Sequence, residues 1–530
     1  MLKKTTTKKN KNQKKSFNPI HIYCVALVII FSVVFSHVFD PKLDLNGDNA
    51  NYYIYATALA NGDGYVDLAT KDHRPTNNFP PGYPALMSMV MLFTKSVTAQ
   101  KILNGVFLIA SILILFIIMQ DLLQNRFLSF ALSTTLIFNA HLLKFATMMM
   151  SEMSFLLISC ATLYQLIRID YKIALYKNAR FYIMMLLISY GFYIRTQGIT
   201  LLAAVIVYFL FSKRWQYVLI TITGFSILYF PWIIRNRIVG IGGNKYLSKV
   251  LAANHWNPEA GSLSFIELVI RFVKTQIMLI TKAIPDSIFN FYTPDYQITT
   301  GLQWLIGLLV LSIIIYAIIR VGSYQFFFLG YLLATMGIIG LWSAPSGNRY
   351  LVCLTPFLQI QFFYGIFSVG SVLLSKYTKF KSINPAWIYI IVISMLPGVS
   401  KLAASAKRSY PPAYNNYFQI ALDSRQYTNG KSVVCCRKVA FFYLFGQTPA
   451  YRYPYTSDEK QFIQALLHND VEFVVLDQLG YSSTYKYLYP VIKNHPQLFT
   501  PLDAKKNPDT YFLQFNRKLA HDFLLETRIN

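Results

Sequence analysis

Apolar runs long enough to cross a bilayer recur along this chain from residue 22 to about residue 404. A straight membrane helix needs about 20 such residues, and inside hydrocarbon every backbone group must bond within its own segment. The runs fall at residues 22–38, 99–119, 127–143, 150–167, 181–194, 199–211, 217–234, 302–319, 324–341, 350–374 and 386–404. They predict an all-α polytopic membrane domain over residues 21–404 with about eleven transmembrane helices, several of them short for a straight span. No small-x-small cleavage site closes residues 22–38, so that run is read as an uncleaved first span. The chain is 54% hydrophobic and 14% charged, whereas a soluble domain carries about 25% charged residues.

The formal net charge is +26. In a soluble chain this would suggest nucleic acid, but no aromatic-basic module for RNA or DNA is present. The Lys and Arg residues gather instead in a tail, residues 1–20, and in short connections at residues 120–126, 168–180, 212–216, 320–323 and 375–385. Each of these connections is basic, Lys379 and Lys381 included, as the positive-inside rule requires of cytoplasmic segments. The tail is therefore predicted to be disordered and cytoplasmic in a cytoplasmic (inner) membrane. Residues 39–98 and 235–301 become two long outer loops, and residues 405–530 become a soluble domain on the outer, periplasmic or extracellular, side. In that domain, strands at residues 432–436, 472–477 and 511–515 alternate with helices at 457–468 (capped by Ser457) and near 485–493, the pattern of a small α/β fold. Of five cysteines, Cys24, Cys160 and Cys353 lie in apolar runs, while adjacent Cys435 and Cys436 point to opposite faces of a strand.

Function is sought where polar residues are costly to place and still occur. The first outer loop carries Asp44 and Asp48, then a helix-like stretch at residues 49–60 with Tyr52, ended by Gly62 and Gly64. Asp48 suits a helix N-cap, and equally a carboxylate held at the membrane boundary as a base. Arg74 follows, then Phe79-Pro80-Pro81-Gly82-Tyr83, a stiff extended turn leading into a second surface helix. Glu152, Arg195, Arg235 and Arg349 fall at the same predicted depth and side. Singly, Glu152 can serve a helix N-terminus and the arginines can snorkel to the interface. Together, an acid and several guanidinium groups suit a hydroxyl nucleophile and a phosphate leaving group. No Gly-rich phosphate loop with Lys, no HExxH and no Gly-x-Ser-x-Gly elbow competes. A transporter or flippase, the alternative reading, would show repeated halves and midplane sites, and the chain has no internal repeat.

The order of elements resembles a known group. An acid after span one, a Tyr-bearing surface helix ending in Gly, Pro-Pro-Gly-Tyr, a surface helix and span two are similar to the GT-C membrane glycosyltransferases. The nearest branch is the protein O-mannosyltransferase and lipid A aminoarabinose transferase group. Asp48 matches the family's catalytic carboxylate, and Ser151-Glu152 its second acidic position. Arg195-Thr-Gln-Gly198, Pro231-Trp232 with Arg235-Asn236, and Asn348-Arg349-Tyr350-Leu351 resemble its turns at later spans, Pro-Trp closing span seven. Two positions depart: Phe79 stands where the aminoarabinose branch has a basic residue for the donor phosphate, and Asn49 where many members have a second acid. Arg74 is the candidate replacement for the missing charge.

The resemblance implies an inverting transferase that takes a sugar from a polyprenyl-phosphate-sugar donor to a glycan, lipid or protein acceptor at the outer face. Asp48 would be the general base and Glu152 a second catalytic acid. Asp44, Tyr52, Arg74, Tyr83, Arg195, Arg235, Arg349 and Tyr350 would bind substrate. A divalent metal ion on Asp48 and Glu152 is the only cofactor suggested, and membrane lipids are the other expected partners.

Overall fold

Each of the eleven predicted spans coincides with a helix or helix pair in the computed structural model, which describes residues 19–241, 245–254, 258–343, 348–377 and 384–529. The Lys-rich residues 3–15, and Lys379 and Lys381, lie outside the described residues. Seven helices are long and apolar enough to cross a membrane: Ile20–Val38, Val97–Leu123, Trp215–Ile238, Gly301–Ile319, Gly322–Leu341, Thr355–Lys376 and Pro385–Ala406. The chain is a multi-pass membrane protein.

The predicted span at residues 127–143 is a pair, Arg126–Ile137 and Ala140–Ala146, bent by 63°. The bend has a local cause. Asn139 caps the second helix by accepting from the His141 and Leu142 N–H groups, while its amide donates to Ser287 O and Gln359 Oε1. Three shorter apolar helices, Glu152–Ile167, Ala179–Ile194 and Thr196–Phe211, complete the set. At 1.5 Å per residue, a helix of this length reaches about 24 Å, short of the roughly 30 Å hydrocarbon core. Their inward faces are buried among the longer helices, so protein rather than lipid surrounds much of their surface.

Residues 39–96 fold at one end of the bundle, here the loop face. The expected surface helix runs Asp48–Asn61 and stops at Gly62, whose φ of 86° is left-handed. A two-stranded antiparallel ribbon follows, β1 (Val66–Asp67) with β2 (Arg74–Pro75), then a second helix, Gly82–Met91. The segment 235–301 departs from the expected loop. The helix Trp215–Ile238 runs through Pro231 instead of closing at Pro-Trp, and Phe265–Met278, capped by a Ser264–Glu267 capping box, leads into a π-turn, Leu279–Ala283, and the helix Ile284–Ile288. This piece folds back among the spans: Gln276 donates to Met336 O at 3.1 Å.

The C-terminal segment builds a five-stranded sheet in the order β4-β3-β5-β7-β6: β3 Val433–Cys435, β4 Ala450–Tyr451, β5 Val471–Leu476, β6 Phe499–Lys505 and β7 Thr510–Phe515. Strands β4, β3 and β5 are parallel, and β7 and β6 are antiparallel to their neighbours. Cys436 joins the large core shared with the bundle, and Cys435 joins the sheet's other core, as strand alternation demands. The helix expected at 457–468 begins at Glu459 and is capped by Asp458, not Ser457; Ser457 instead donates to the Glu259 carboxylate. The sheet rests on the loop face, where Ala450 N–H donates to Ala69 O at 2.8 Å and Tyr410 O–H to Leu43 O at 2.9 Å.

Gly82 sets the seat of the first loop. A Cβ there would lie 2.7 Å from the Tyr193 carbonyl carbon and oxygen, and Tyr190 O–H donates to Gly82 O at 3.0 Å. Gly82→Val should therefore cost about 1–3 kcal/mol by overpacking, read as a lower thermal midpoint of the detergent-purified protein. An unchanged midpoint would contradict this seating.

Candidate active site

Four chain segments meet at the loop face. The helix Asp48–Asn61 brings Asp48, the helix Glu152–Ile167 brings Glu152 at its first residue, the turn Thr196–Gly198 follows Arg195, and a short 3-10 turn, Arg349–Leu351, brings Arg349. Arg195 Nη1 lies 2.8 Å from Glu152 Oε1, Arg349 Nε lies 3.5 Å from the same oxygen, and Arg349 Nη2 lies 2.7 Å from Asp48 Oδ2. Side-chain exposure rises along this chain of charges, from 0% at Glu152 and 12% at Arg195 to 24% at Arg349 and 32% at Asp48. The inner end is closed and the outer end is open.

Asp48 is not a helix cap. Gly47 occupies the N-cap position and no side chain caps the helix; the carboxylate is turned to Arg349. Glu152 is more than a charge placed for a helix dipole, because a fully buried carboxylate needs direct partners and finds them in two guanidinium groups. Its Oε2 has no hydrogen-bond partner.

Neighbouring residues hold this arrangement. Ser151 Oγ accepts from Arg195 Nη1 at 2.9 Å and shares a hydrogen bond of 3.2 Å with Tyr52. Burial holds the Tyr52 phenol well above its usual range, so it remains neutral. The Tyr83 ring meets Tyr52 edge-on at 5.0 Å, and its hydroxyl donates to Asn104 Oδ1 at 3.2 Å. Asn104 in turn donates to Met148 O and Met150 O, fixing the turn before Glu152. Gln197 donates to Tyr350 O at 3.0 Å, tying the Arg195 turn to the Arg349 turn. Asn348 is anchored by Asp286 Oδ2 at 3.0 Å, and His141 lies 3.4 Å from Asp286 Oδ1.

Other expected site residues lie elsewhere. Arg235 donates to Thr76 O and Tyr65 O, both at 2.7 Å, and so clamps the backbone of the first loop. Arg74 sits exposed on the ribbon, 3.7 Å from Asp72. Phe79 itself packs on Tyr52 at 4.6 Å. Asp44 accepts from Asn46 N–H, and its carbonyl accepts from Asn49, so both shape the loop. Tyr350 reaches the site through its backbone carbonyl. Arg349 stands between Asp48 and Glu152, and the described residues hold no group of three His, Cys, Asp or Glu placed for a metal ion. Asn104, Asp286 and His141 were missed in the sequence. Their signal was a polar residue beside or within an apolar run, Asn104 most plainly.

No protein-family model matches the chain, and no curated protein matches it by sequence. Solved structures do match. The crystal structure of ArnT from Cupriavidus metallidurans in the apo state superposes with a TM-score of 0.59 at 13% identity, covering 95% of this chain and 99% of that one. The same protein bound to undecaprenyl phosphate gives a TM-score of 0.58 at 11% identity, over 93% and 98%. The likeness runs through both the helical bundle and the sheet, so the chain shares the fold of these structures over nearly its whole length.

Removing one partner of a buried ion pair strands the other charge, at a cost of about 3–5 kcal/mol. Arg195→Gln should therefore destabilise the protein clearly, and adding Glu152→Gln should recover much of the loss. Thermal unfolding of the two singles and the double checks the coupling; strictly additive losses would contradict it.

Proposed function

We propose that this protein is a glycosyltransferase that moves a sugar from a polyprenyl-phosphate-linked donor to a hydroxyl acceptor, with inversion at the anomeric carbon. The observation that carries the reading is the Asp48–Arg349–Glu152–Arg195 chain, closed at one end and open at the other. A neighbour of the same fold, crystallised with undecaprenyl phosphate, supports a lipid-phosphate donor. The proposed setting is the outer side of the cytoplasmic membrane, where nucleotide sugars and ATP are not at hand and the donor must carry its own leaving group.

In this reading the donor's tail stays in the bilayer and its phosphate approaches Arg349 and Arg195. Guanidinium groups meet phosphate oxygens in a bidentate fork, a geometry an ammonium lacks. As Arg349 turns toward the phosphate it gives up part of its bond to Asp48, and the freed carboxylate takes the acceptor's hydroxyl proton. The acceptor oxygen bonds to C1 while the bond from C1 to the phosphate oxygen breaks. The electron pair leaves on the phosphate, whose growing charge faces the two guanidinium groups. Preorganised charges of this kind contribute several kcal/mol, about 3 for a single donor at other sites. Glu152, fully buried, acts by holding both arginines. The transferred group is a hexose or pentose, and the acceptor a glycan, lipid or protein.

The test is turnover. Purified wild type and Asp48→Asn, matched for thermal stability, are incubated with a panel of polyprenyl-phosphate sugars and a membrane extract as acceptor source. Release of polyprenyl phosphate with sugar transferred by wild type, and loss of about a hundredfold or more in Asp48→Asn, is expected of a general base. Full activity in the variant would remove Asp48 from the chemistry. No turnover by wild type with any donor would favour a transporter or flippase.

A further inference from the structure

The three parallel strands of the C-terminal sheet end on the same side, and each delivers chemistry there. After β3 come Arg437 and Lys438, after β4 come Arg452 and Tyr455, and after β5 come Asp477 and Tyr481. The carboxyl ends of parallel strands are where open α/β sheets bind ligands, because successive loops diverge and leave a crevice. Here that edge faces the reaction site. Lys438 Nζ lies only 3.5 Å from where a Cβ on Gly47 would stand, next to Asp48.

Several polar atoms at this edge lack partners among the described residues, although Tyr481 pairs with Tyr414 and Asp477 Oδ1 accepts from Leu479 N–H. Arg437 is 6% exposed, yet among the described residues it makes no hydrogen bond and no ion pair, and its Nε is fully buried. Its guanidinium lies 4.3 Å from the centre of the Tyr481 ring and 5.8 Å from that of Tyr455. Lys438 Nζ lies 4.9 Å from the same Tyr481 ring. Among the described residues, the Tyr455 hydroxyl is buried without a partner, as is Asp477 Oδ2. Burial pushes the Asp477 carboxyl up to about 6, although the Leu479 N–H, Arg437 and Lys438 pull it down. Buried polar atoms without partners, here Arg437 Nε, the Tyr455 hydroxyl and Asp477 Oδ2, carry a desolvation cost that a ligand would relieve. Donors for an anion, an acceptor for a hydroxyl and flat aromatic faces together are the features of a saccharide site.

We infer that the carboxyl-end edge of the sheet is a binding site for an anionic saccharide, with its phosphate or carboxylate on Arg437 and Lys438 and its ring against Tyr481 or Tyr455. That this saccharide is the acceptor, aimed at Asp48, rests on the transferase reading; the site itself does not. The sheet then does more than cover the bundle, because it presents the acceptor to a base carried by the first loop.

Ligand-observed NMR on the full-length protein in micelles tests it, with glucose 6-phosphate, glucuronate and glucose as probes. At least one anionic sugar should bind, roughly tenfold or more tighter than glucose, about 1.4 kcal/mol; which one binds tells phosphate from carboxylate. Arg437→Gln should reduce that binding to the glucose level, while the binding of undecaprenyl phosphate to Arg437→Gln stays as in wild type. Lys438→Gln, on a less buried side chain, should weaken the anion several-fold and serves if Arg437→Gln does not fold. Equal binding of glucose, no binding of either anion, or full binding by folded Arg437→Gln or Lys438→Gln overturns the site. Anion binding through Arg437 without any sugar transfer would support the site and count against the transferase reading. Transfer with an unchanged acceptor KM in Arg437→Gln would do the reverse.

Discussion

A carboxylate with no exposed surface, Glu152, fixes the geometry of everything around it. An isolated charge at such depth is far too costly to persist, so two guanidinium groups must be brought to it. Arg195 comes from the turn between two short apolar helices, and Arg349 from a 3-10 turn between two later spans. Because Arg349 also reaches Asp48, the buried pair positions an exposed one. The second layer (Asn104, Ser151, Gln197 and Asn348) exists to hold those turns, each through a hydrogen bond to backbone or to a neighbouring side chain. The bundle thus delivers a carboxylate and two cations to one mouth, on turns that would otherwise be free to move.

The sheet closes over that mouth from the other side. The C-terminal domain meets the first loop through the Ala450 N–H bond to Ala69 O, the Tyr410 hydroxyl bond to Leu43 O, the Lys71–Asp470 ion pair and the approach of Lys438 to Gly47. In the proposed reaction the bundle holds the donor phosphate, the sheet holds the acceptor's charge, and Asp48 lies between.

Much of this was legible in the sequence. Apolar length marked the seven long helices and the bent pair among the described residues, and the positive-φ demand at Gly62 marked the end of the first surface helix. Asp48, Glu152, Arg195 and Arg349 were marked by being polar at a common depth, and the structure brings the four together. Depth alone did not sort the arginines. Arg235 shares the predicted depth but spends its donors on the Tyr65 and Thr76 carbonyls, a partner choice that only the folded loop defines. Residues 265–288 were hidden because Lys274, Lys282 and Asp286 break the apolar run, although the helices still fold back among the spans. The bend at Asn139 needed Ser287 and Gln359, both far away in the chain. Strand β4, two residues long, has no alternation to read.

The central claim is that Arg349 is shared between the base and the leaving group. The position of the phosphorus atom in a structure of this protein with undecaprenyl phosphate tests that most directly. The account predicts a phosphate in hydrogen-bond contact with the Arg349 and Arg195 guanidinium groups, with the 2.7 Å bond from Arg349 to Asp48 lengthened or lost. A phosphate bound elsewhere, with the Asp48–Arg349 pair intact, would contradict it.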